Sequence, residues 1–576
     1  MTEGSSPIAP KSPTLTKGCS VFYVSDSTQL FQPGSCPNVM ERPRNFIRWL
    51  FDSGSGPSNC LIARWIFLRA LAAIYFSAFF SLVFQTKGLI GQQGILPAQQ
   101  YLTAVARSLD VARFWYAPSL FWLSASSHML VAVTWIGLLA SISAFLNLWP
   151  RLGFFICFVC FLSFVAVASD FSGYQSDGML LEAGFLALFF APPGILPGWG
   201  ADHPPPRASL FLLQWEWFRI YFESGLAKLL SGDPQWRNLT AMDEYYQNSP
   251  LPTWIGWYVE HLPHWFHVTM TAGTLFLEFV VVFILFFPRR VRLICFLIVT
   301  PWEIGVVLTG NYAFLNYLVL SLAFLLLEDS TLRRFVPTRF RPPAQSEAVC
   351  AGPRGEVAPD AAECGTGIAA PLNSIRVAIT TVMLAWIAYA TTAELVSMPL
   401  HRMPLPAAPV IALEPFRIAN QYGLFAVMTR GRNEIEFQGS NDNQNWIPYP
   451  FRYKPQALNE PPGIYGPYQP RFDWNLWFAS LGDWQQNQMV PLTQEHLLEN
   501  DADVLSLFKS NPFQQSPPRY VRAILWQYWF TSMEEKRRTG NWWRRQLLGQ
   551  YAPTITRTPD GGFGAAQWSD KLPRHD

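Results

Sequence analysis

The stretch SLFLLQWEWFRIYFESGLAKLLSGDPQWRNLT, residues 209–240, decides how this chain folds. Its first part is long and apolar enough to cross a bilayer, yet it carries Glu216, Arg219, Glu223 and Lys228. Ionisable groups at bilayer depth cost roughly 2.5–3.5 kcal/mol each on insertion scales, so these side chains need partners inside the protein. On a helix the first three share one face, whereas Lys228 points about 120° away from Glu216. The stretch therefore predicts a helix at the centre of a membrane domain, surrounded by buried polar groups.

The composition of the whole chain also indicates a membrane protein. Of its 576 residues, 50% are hydrophobic and only 14% are charged, against roughly 25% charged residues in soluble proteins. The net charge of +2 and the lack of a Lys/Arg block argue against a nucleic-acid partner. His264 and His267 have no third ligand within sequence reach, so no metal site is predicted. No cofactor fingerprint or G-x-S-x-G motif occurs, so the chain is not expected to bind a cofactor or to be a lipase itself.

Nine apolar runs of spanning length follow one another along the chain. Cytoplasmic loops are enriched in Lys and Arg, and this rule gives the orientation. Arg42, Arg44 and Arg48 precede the first run, and the basic loops at 288–292 and 333–341 fall on the same side. The N-terminus is therefore predicted inside, and the residues after about 398 outside. The runs cover 65–85, 128–149, 152–171, 177–193, 208–230, 266–287, 291–309, 311–328 and 372–397.

Composition shifts divide the chain into segments. The predicted fold is a polytopic α-helical membrane protein of about nine transmembrane helices, N-terminus inside, with a soluble exoplasmic α+β domain at the C-terminus. The segments are a disordered polar tail at 1–60, a membrane domain at 61–330 with an aromatic exoplasmic cap at 231–265, a flexible cytoplasmic linker at 331–371, the last transmembrane helix at 372–397, the soluble domain at 405–556 and a loose tail at 557–576.

The soluble domain is predicted to be β-sandwich-like with helical additions. Residues 415–429 and 433–455 alternate with period two, the second range around a Gly/Asn/Asp turn that is typical of a hairpin. Residues 519–532 are rich in β-branched and aromatic side chains and predict a further strand. Two stretches between them, 473–484 and 491–510, are typical of helices.

The ionisable residues inside the apolar runs form the candidate site. One interpretation is a cavity that binds a polar ligand, moves protons or performs acid–base chemistry. The other is structural ion pairing, in which Arg219 satisfies acids of its own helix while Arg69 and Lys228 satisfy acids of other helices. The cluster comprises Arg69, Glu182, Glu216, Arg219, Glu223, Lys228, Glu278 and Glu303.

Tryptophans of the C-terminal domain are a second candidate site. Trp474, Trp477, Trp526 and Trp529 could bind apolar surface of an unfolded client protein. They could equally fill the core of the domain or dock it onto the membrane, and the sequence leaves both interpretations open.

Several long segments resemble the lipase maturation factor family. They are GLIGQQGILPA (88–98), YQSDGMLLEAGFLALFFAPP (174–193), the stretch 225–258, PYQPRFDWNLWFASLG (467–482) and NPFQQSPPRYVRAILWQYWFT (511–531). The resemblance covers about 61–555, in order. It implies an integral membrane protein with several spans; in animals, members sit in the endoplasmic reticulum membrane and help dimeric secreted lipases fold and assemble. The family is similar, more distantly, to membrane proteins that include the vitamin K-dependent carboxylase.

The resemblance implies a membrane-anchored folding and maturation factor for secreted proteins, with lipases as clients and the lipid bilayer as a second partner. No catalytic residue is assigned. The alternative is a membrane-embedded enzyme that uses the Glu/Arg/Lys cluster, as the distant carboxylase kinship allows. The expected location is the endoplasmic reticulum membrane in a eukaryote, or the inner membrane with a periplasmic C-terminal domain in a bacterium.

Overall fold

A computed structural model describes residues 41–52, 56–57, 59–342 and 369–567 of the chain. Residues 1–40 of the predicted tail and 343–368 of the predicted linker lie outside the described residues. Part of the predicted disordered tail is helical, since α1 spans Glu41–Phe51. Its sequence ERPRNFIRWLF repeats apolar residues at helical spacing, which explains the helix.

Each of the nine apolar runs contains a helix in the described part of the chain. Several shorter helices lie between these runs. The helices before the C-terminal domain are α2 (Leu61–Val83), α3 (Thr86–Ile90), α4 (Ala98–Ser108), α5 (Arg113–Tyr116), α6 (Ser127–Phe145), α7 (Pro150–Val165), α8 (Gln175–Phe190), α9 (Arg207–Leu230), α10 (Pro234–Arg237), α11 (Tyr245–Asn248), α12 (Trp254–Glu260), α13 (His264–Phe279), α14 (Arg289–Thr309), α15 (Leu315–Ala323), α16 (Asp329–Leu332) and α17 (Ala369–Leu400).

Length and composition support five or six membrane crossings among the described residues. Five helical segments qualify outright: Leu61–Val83, Ser127–Phe145, His264–Phe286, Arg290–Thr309 and Ser374–Leu400. A sixth arises if Leu315–Leu326 and Asp329–Phe335, which are bent by 100°, form one broken span. Helices α7 and α8 have only 16 residues each, and α9 carries several charges. The nine-span count and the orientation therefore stay predictions.

Helix α9 lies at the centre of the membrane part. It contacts four other helices, α8, α13, α15 and α17. Glu216, Arg219 and Glu223 are fully buried and Lys228 is 2% exposed. This burial is what the ionisable residues of the 209–240 stretch predicted, because such side chains face protein rather than lipid.

Two glycines allow the helices around α2 to approach closely. A Cβ atom on Gly184 of α8 would lie 1.9 Å from the hydroxyl oxygen of Tyr75 in α2. A Cβ atom on Gly137 of α6 would lie 2.3 Å from the ring of Phe79, also in α2. Small residues at helix interfaces are the usual means of bringing membrane helices into contact.

Residues 231–265, which we call the aromatic cap, contain the three short helices α10, α11 and α12. Trp236 and Trp257 are at most 1% exposed. The indole Nε1 of Trp236 donates to the carbonyl oxygen of Phe425 at 3.0 Å, and Pro252 forms an isolated bridge with Gly310. The cap is thus packed against both the membrane helices and the chain that follows α17.

The C-terminal domain contains a single antiparallel sheet with strand order β2-β1-β3-β4-β5. Ile435 pairs with Leu525 and Ala523 with Ala552, which fixes the register of the three central strands. The strands are β1 (Arg432–Ser440), β2 (Ile447–Pro448), β3 (Tyr520–Phe530), β4 (Trp543–Arg557) and β5 (Phe563–Gln567); the helices are α18 (Ala408–Ile411), α19 (Arg471–Ala479), α20 (Met489–Glu499), α21 (Ala502–Leu505) and α22 (Met533–Thr539).

Parts of the predicted domain are confirmed and parts are wrong. The hairpin is present as β1 and β2, the further strand as β3, and the two helical stretches as α19 and α20 with α21. The second sheet of a sandwich is not found in the described residues, because α19 and α20 pack on the sheet in its place. Part of the tail predicted to be loose is strand β5, which pairs with β4. Residues 415–429, predicted as a strand, contain no strand; the 3-10 helix Glu414–Phe416 overlaps their beginning.

Candidate functional site: buried polar groups among the membrane helices

Arg219 is the centre of the first polar cluster. Its guanidinium pairs with Glu182 of α8 and lies 4.0 Å from Glu223, one turn along α9. All three side chains are at most 1% exposed. The positions three and four apart on α9 bring Arg219 and Glu223 together, as the sequence predicted. Glu182 on α8 could not be identified as a partner of Arg219 from the spacing of residues along the sequence.

Residues 417–429, which we call the inserted segment, complete this cluster. The backbone N–H of Asn420 donates to Glu182 at 3.2 Å, and the N–H of Tyr422 donates to Glu223 at 2.7 Å. The Tyr422 hydroxyl also donates to Glu182 at 2.9 Å. In return, the carbonyl oxygen of Asn420 accepts from Arg219 at 2.5 Å. An irregular segment can be buried between these helices only because buried side chains satisfy its backbone hydrogen-bonding groups.

The inserted segment explains why its strand prediction fails. Its backbone donors bond to carboxylates of α8 and α9 instead of to a neighbouring strand. Further along, the N–H of Leu424 donates to Ser224 and that of Met428 donates to Asp233. Alternation of apolar and polar residues with period two indicates that one face of a segment is buried. In the inserted segment that face is buried against helices rather than in a sheet.

Glu216 is fully buried, but it does not join the pairing around Arg219. Neither of its carboxyl oxygens has a hydrogen-bond partner among the described residues. In the structural-pairing interpretation Arg219 would satisfy both Glu216 and Glu223, but among the described residues no hydrogen bond joins Arg219 to Glu216. The carboxylates that reach Arg219 are those of Glu182 and Glu223.

Arg69 also lies apart from the acids. It is 7% exposed, and its guanidinium carbon lies 4.9 Å from the ring centroid of Trp65, one turn earlier on α2. Its Nη2 has no hydrogen-bond partner in the part of the chain that the structure describes. Arg69 was predicted to neutralise an acid of another helix, but its guanidinium lies over the Trp65 ring instead.

Lys228 and Glu278 form the second polar cluster, together with Glu303. The Lys228 ammonium lies 2.6 Å from Glu278 Oε1 and donates to the carbonyl oxygen of Leu424 at 3.0 Å. Glu303 accepts from the hydroxyl of Tyr221 at 2.8 Å and from the amide of Asn316 at 2.5 Å. These residues come from α9, α13, α14 and α15, so four helices meet at this point.

A cavity of about 350 Å³ opens beside this second cluster. Tyr221, Lys228, Glu278 and Glu303 line one part of it. The rest of the wall is mainly apolar and comes from the aromatic cap, helices α9 and α13–α15, and Leu424, Phe425 and Met428 of the inserted segment. Of the two polar clusters, only the one around Lys228 borders this space, whereas the inserted segment closes the one around Arg219.

The tryptophans chosen as client-binding candidates do not share one environment. Trp474 and Trp477 are only 7% and 8% exposed, so they present almost no surface to a client in this conformation. Trp474 packs 5.5 Å from the Tyr174 ring, which docks α19 onto the start of α8. Trp526 and Trp529 are half-buried, and Arg545 and Arg544 lie over their rings at 4.0 and 5.6 Å.

The sequence analysis missed Arg471, which joins the C-terminal domain to the membrane helices. Its guanidinium binds both carboxylate oxygens of Asp177, at 2.7 and 2.8 Å, and the carbonyl oxygen of Phe171 at 2.6 Å. Arg471 and Asp177 are fully buried. An acid at the beginning of an apolar run was the available signal, but nothing in the sequence indicates a partner 294 residues away.

Among the carboxyl groups outside the membrane helices, Glu260 and Asp473 have raised pKa values. Burial raises the pKa of Glu260, in the aromatic cap, to about 8. Burial also raises the pKa of Asp473 to about 6, although its carboxylate accepts from the backbone N–H groups of Lys454 and Tyr453.

The comparisons with known proteins cover both parts of the fold. The lipase maturation factor transmembrane domain matches residues 62–334, and the lipase maturation factor C-terminal domain matches residues 418–553. The chain is 32% identical to lipase maturation factor 1 of Bos taurus over 535 residues, which cover 88% of this chain and 91% of the relative. It is 31% identical to lipase maturation factor 2 of Gallus gallus over 613 residues, covering 88% of this chain and 84% of the relative.

Against lipase maturation factor 1 of Homo sapiens the identity is 30% over 522 residues, covering 86% of this chain and 88% of the relative. No solved structure matches the chain. The C-terminal match begins at residue 418, so it includes almost the whole inserted segment. With a transmembrane and a C-terminal match in order, and relatives aligned over most of their length, the chain belongs to the lipase maturation factor family.

Proposed function

We propose that the protein is a membrane-anchored maturation factor that assists the folding and assembly of secreted lipases. Membership of the family supports this role, since its relatives are named lipase maturation factors. The proposed location is the endoplasmic reticulum membrane, with the C-terminal domain in the lumen, where secreted proteins fold. In this role the protein is not an enzyme: it binds a client rather than transforming a substrate.

The observation that carries the proposal is the fixed attachment of the C-terminal domain to the membrane helices. The buried Arg471–Asp177 pair and the inserted segment hold the C-terminal domain against α8 and α9. A domain held in this way presents one constant surface beside the membrane, whereas a domain on a flexible tether would not. Such a surface suits a factor that engages clients as they emerge at the membrane.

The proposed topology has nine crossings, with the N-terminus in the cytosol. The basic residues before α2, in the first turn of α14 and after α15 support it, because all three groups then face the cytosol. The aromatic cap and the sheet would then share the luminal side, in agreement with their direct contact. The backbone N–H of Phe530 in β3, for example, donates to the side-chain oxygen of Gln247 in the cap at 2.7 Å.

Co-expression with a secreted dimeric lipase tests the role. In cells that lack their own maturation factor, the full chain should raise the activity of secreted lipase per unit of lipase antigen. A secreted reporter that folds without assistance serves as the control for general effects on secretion. An unchanged specific activity of the lipase, with the chain present at normal abundance, would contradict the proposal.

A membrane-embedded enzyme is the second candidate, and the cavity beside Lys228 is the observation that favours it. A buried ammonium group next to two carboxyls is suited to acid–base chemistry. The pairing of Lys228 with Glu278 at 2.6 Å is also sufficient as a structural contact. Loss of client maturation on removal of this pair, at unchanged abundance, would favour the enzyme.

A further inference from the structure

The cavity beside Lys228 lies among α9, the aromatic cap, helices α13–α15 and the inserted segment. At about 350 Å³ it is within the range of small-molecule sites, about 300–1,000 Å³. Polar groups are gathered at one part of the wall and apolar side chains, among them Met270, Val306 and Val319, line much of the rest. A site with this division is suited to an amphiphile, whose polar head and apolar tail need different surroundings.

The polar groups of the cavity select the charge of such a head. A cationic head would meet the ammonium of Lys228, and an anionic head would meet the carboxyls of Glu278 and Glu303. An uncharged head with hydrogen-bond donors avoids both repulsions. Glu278 offers the acceptor, because its Oε2 has no hydrogen-bond partner among the described residues while its Oε1 is paired with Lys228. Glu278 is 6% exposed, so this unpartnered oxygen is buried.

The cavity has an opening on the apolar outer surface of α14. Gly305 lines the cavity and is exposed, and a Cβ atom built on it would meet nothing within 4 Å. Its neighbours Ile304 and Leu308 are 45% and 43% exposed, as expected for a surface that faces lipid. A molecule dissolved in the bilayer could therefore enter beside Gly305 without crossing water.

We propose that this cavity binds a neutral lipid with hydroxyl groups on its head, of the monoacylglycerol class. The acyl chain occupies the apolar part and the opening beside Gly305, and a head-group hydroxyl donates to Glu278 Oε2. The buried acceptor thereby gains the partner that it lacks in the protein alone. The inference does not rest on the proposed maturation role, since lipid binding and client maturation are measured separately.

Photo-crosslinking with the full-length protein in lipid nanodiscs tests the site. The probe is a monoacylglycerol that carries a diazirine and an alkyne in its acyl chain. The fatty acid and the primary amine with the same chain are the comparison probes. Saturable labelling by the monoacylglycerol, mapped to peptides of α13 and α14 and severalfold stronger than with either charged probe, is the expected result. Equal or stronger labelling by a charged probe would overturn the head-group assignment.

Two phenylalanine variants separate the cavity from the general lipid surface. Gly305→Phe should reduce the labelling at least about fivefold, because a phenyl ring fills the opening of a cavity of this size. Ile304→Phe places the same ring on the preceding residue of α14. Ile304 does not line the cavity, so this variant should leave labelling unchanged. The thermal unfolding midpoint of each variant checks that the fold is retained. Undiminished labelling of the Gly305 variant, or an equal loss in both, would contradict the site.

Discussion

Arg471 of the C-terminal domain and Asp177 of α8 form a fully buried two-bond ion pair, with distances of 2.7 and 2.8 Å. Breaking a buried pair by removing one partner leaves an uncompensated charge and costs about 3–5 kcal/mol. We therefore expect Asp177→Ala to lower the thermal unfolding midpoint strongly and to make the C-terminal domain sensitive to limited proteolysis. Both effects can be measured on the full-length protein in detergent.

An exposed ion pair of the same domain provides the control for this prediction. Lys509 and Glu460 lie 3.3 Å apart but are 60% and 63% exposed. Exposed pairs of this kind contribute about 0–1 kcal/mol, so Glu460→Ala should leave unfolding and proteolysis nearly unchanged. Equal losses in the two variants would show that the Arg471–Asp177 pair does not hold the domain in place.

The inserted segment leads to a second prediction, at Tyr422. Its hydroxyl donates to Glu182, and Tyr422→Phe removes this donor while keeping the ring and the backbone bond to Glu223. Loss of one hydrogen bond to a buried charged group costs about 1–3 kcal/mol. We expect a lower unfolding midpoint and less client maturation. In the control, Tyr389→Phe removes a bond to the Pro406 carbonyl at an exposed site, and the midpoint should change little.

The side of the membrane can be determined from Asn238-Leu239-Thr240, a glycosylation sequon in the aromatic cap. Asn238 is exposed, and the proposed topology places it in the lumen. We expect a glycan that endoglycosidase H removes and that Asn238→Gln abolishes. In a chain with Asn238→Gln, a new sequon made by Glu347→Asn/Val349→Thr should stay unmodified, because the topology places it in the cytosol. A glycan at residue 347 of the variant, with none at Asn238 of the wild type, would show that the orientation is the opposite of the one proposed.

Glu260 gives a pH-dependent prediction. Burial raises its pKa from 4.5 to about 8, so between these values the folded protein holds a proton that the unfolded chain releases. The stability that this proton provides is complete below pH 4.5 and is lost as the pH rises through 8. In Glu260→Gln this contribution is absent. The difference in unfolding midpoint, wild type minus variant, should therefore decrease as the pH is raised from 5.5 to 8.5. A difference that stays constant over this range would contradict the assignment.

Local pattern was sufficient to predict most elements of this fold. Each apolar run contains a helix, and the ionisable residues of 209–240 correctly identified α9 as a buried central helix. The alternation around the Gly/Asn/Asp turn identified the hairpin of β1 and β2. These features depend on residues close together in the chain, which a sequence displays directly.

The pairings that build the candidate site could not be predicted in the same way. Asn420 and Glu182 are 238 residues apart, and a carboxylate gives no sign of which backbone N–H it will accept from. The burial of Trp474 has the same cause, since its packing partner Tyr174 lies in the membrane part. Composition alone cannot distinguish a tryptophan that docks a domain from one that binds a client.

The last prediction concerns Lys228 and Glu278, and it separates structural pairing from chemistry. Lys228→Met leaves the Glu278 carboxylate buried without its partner and should destabilise the protein by about 3–5 kcal/mol, whereas a well-packed apolar pair is often neutral. We therefore expect Lys228→Met/Glu278→Met to restore both the unfolding midpoint and the abundance. Under the maturation proposal, the double variant also matures the client lipase normally. Normal abundance with lost lipase maturation would instead indicate that the ionisable groups at this cavity perform a chemical step.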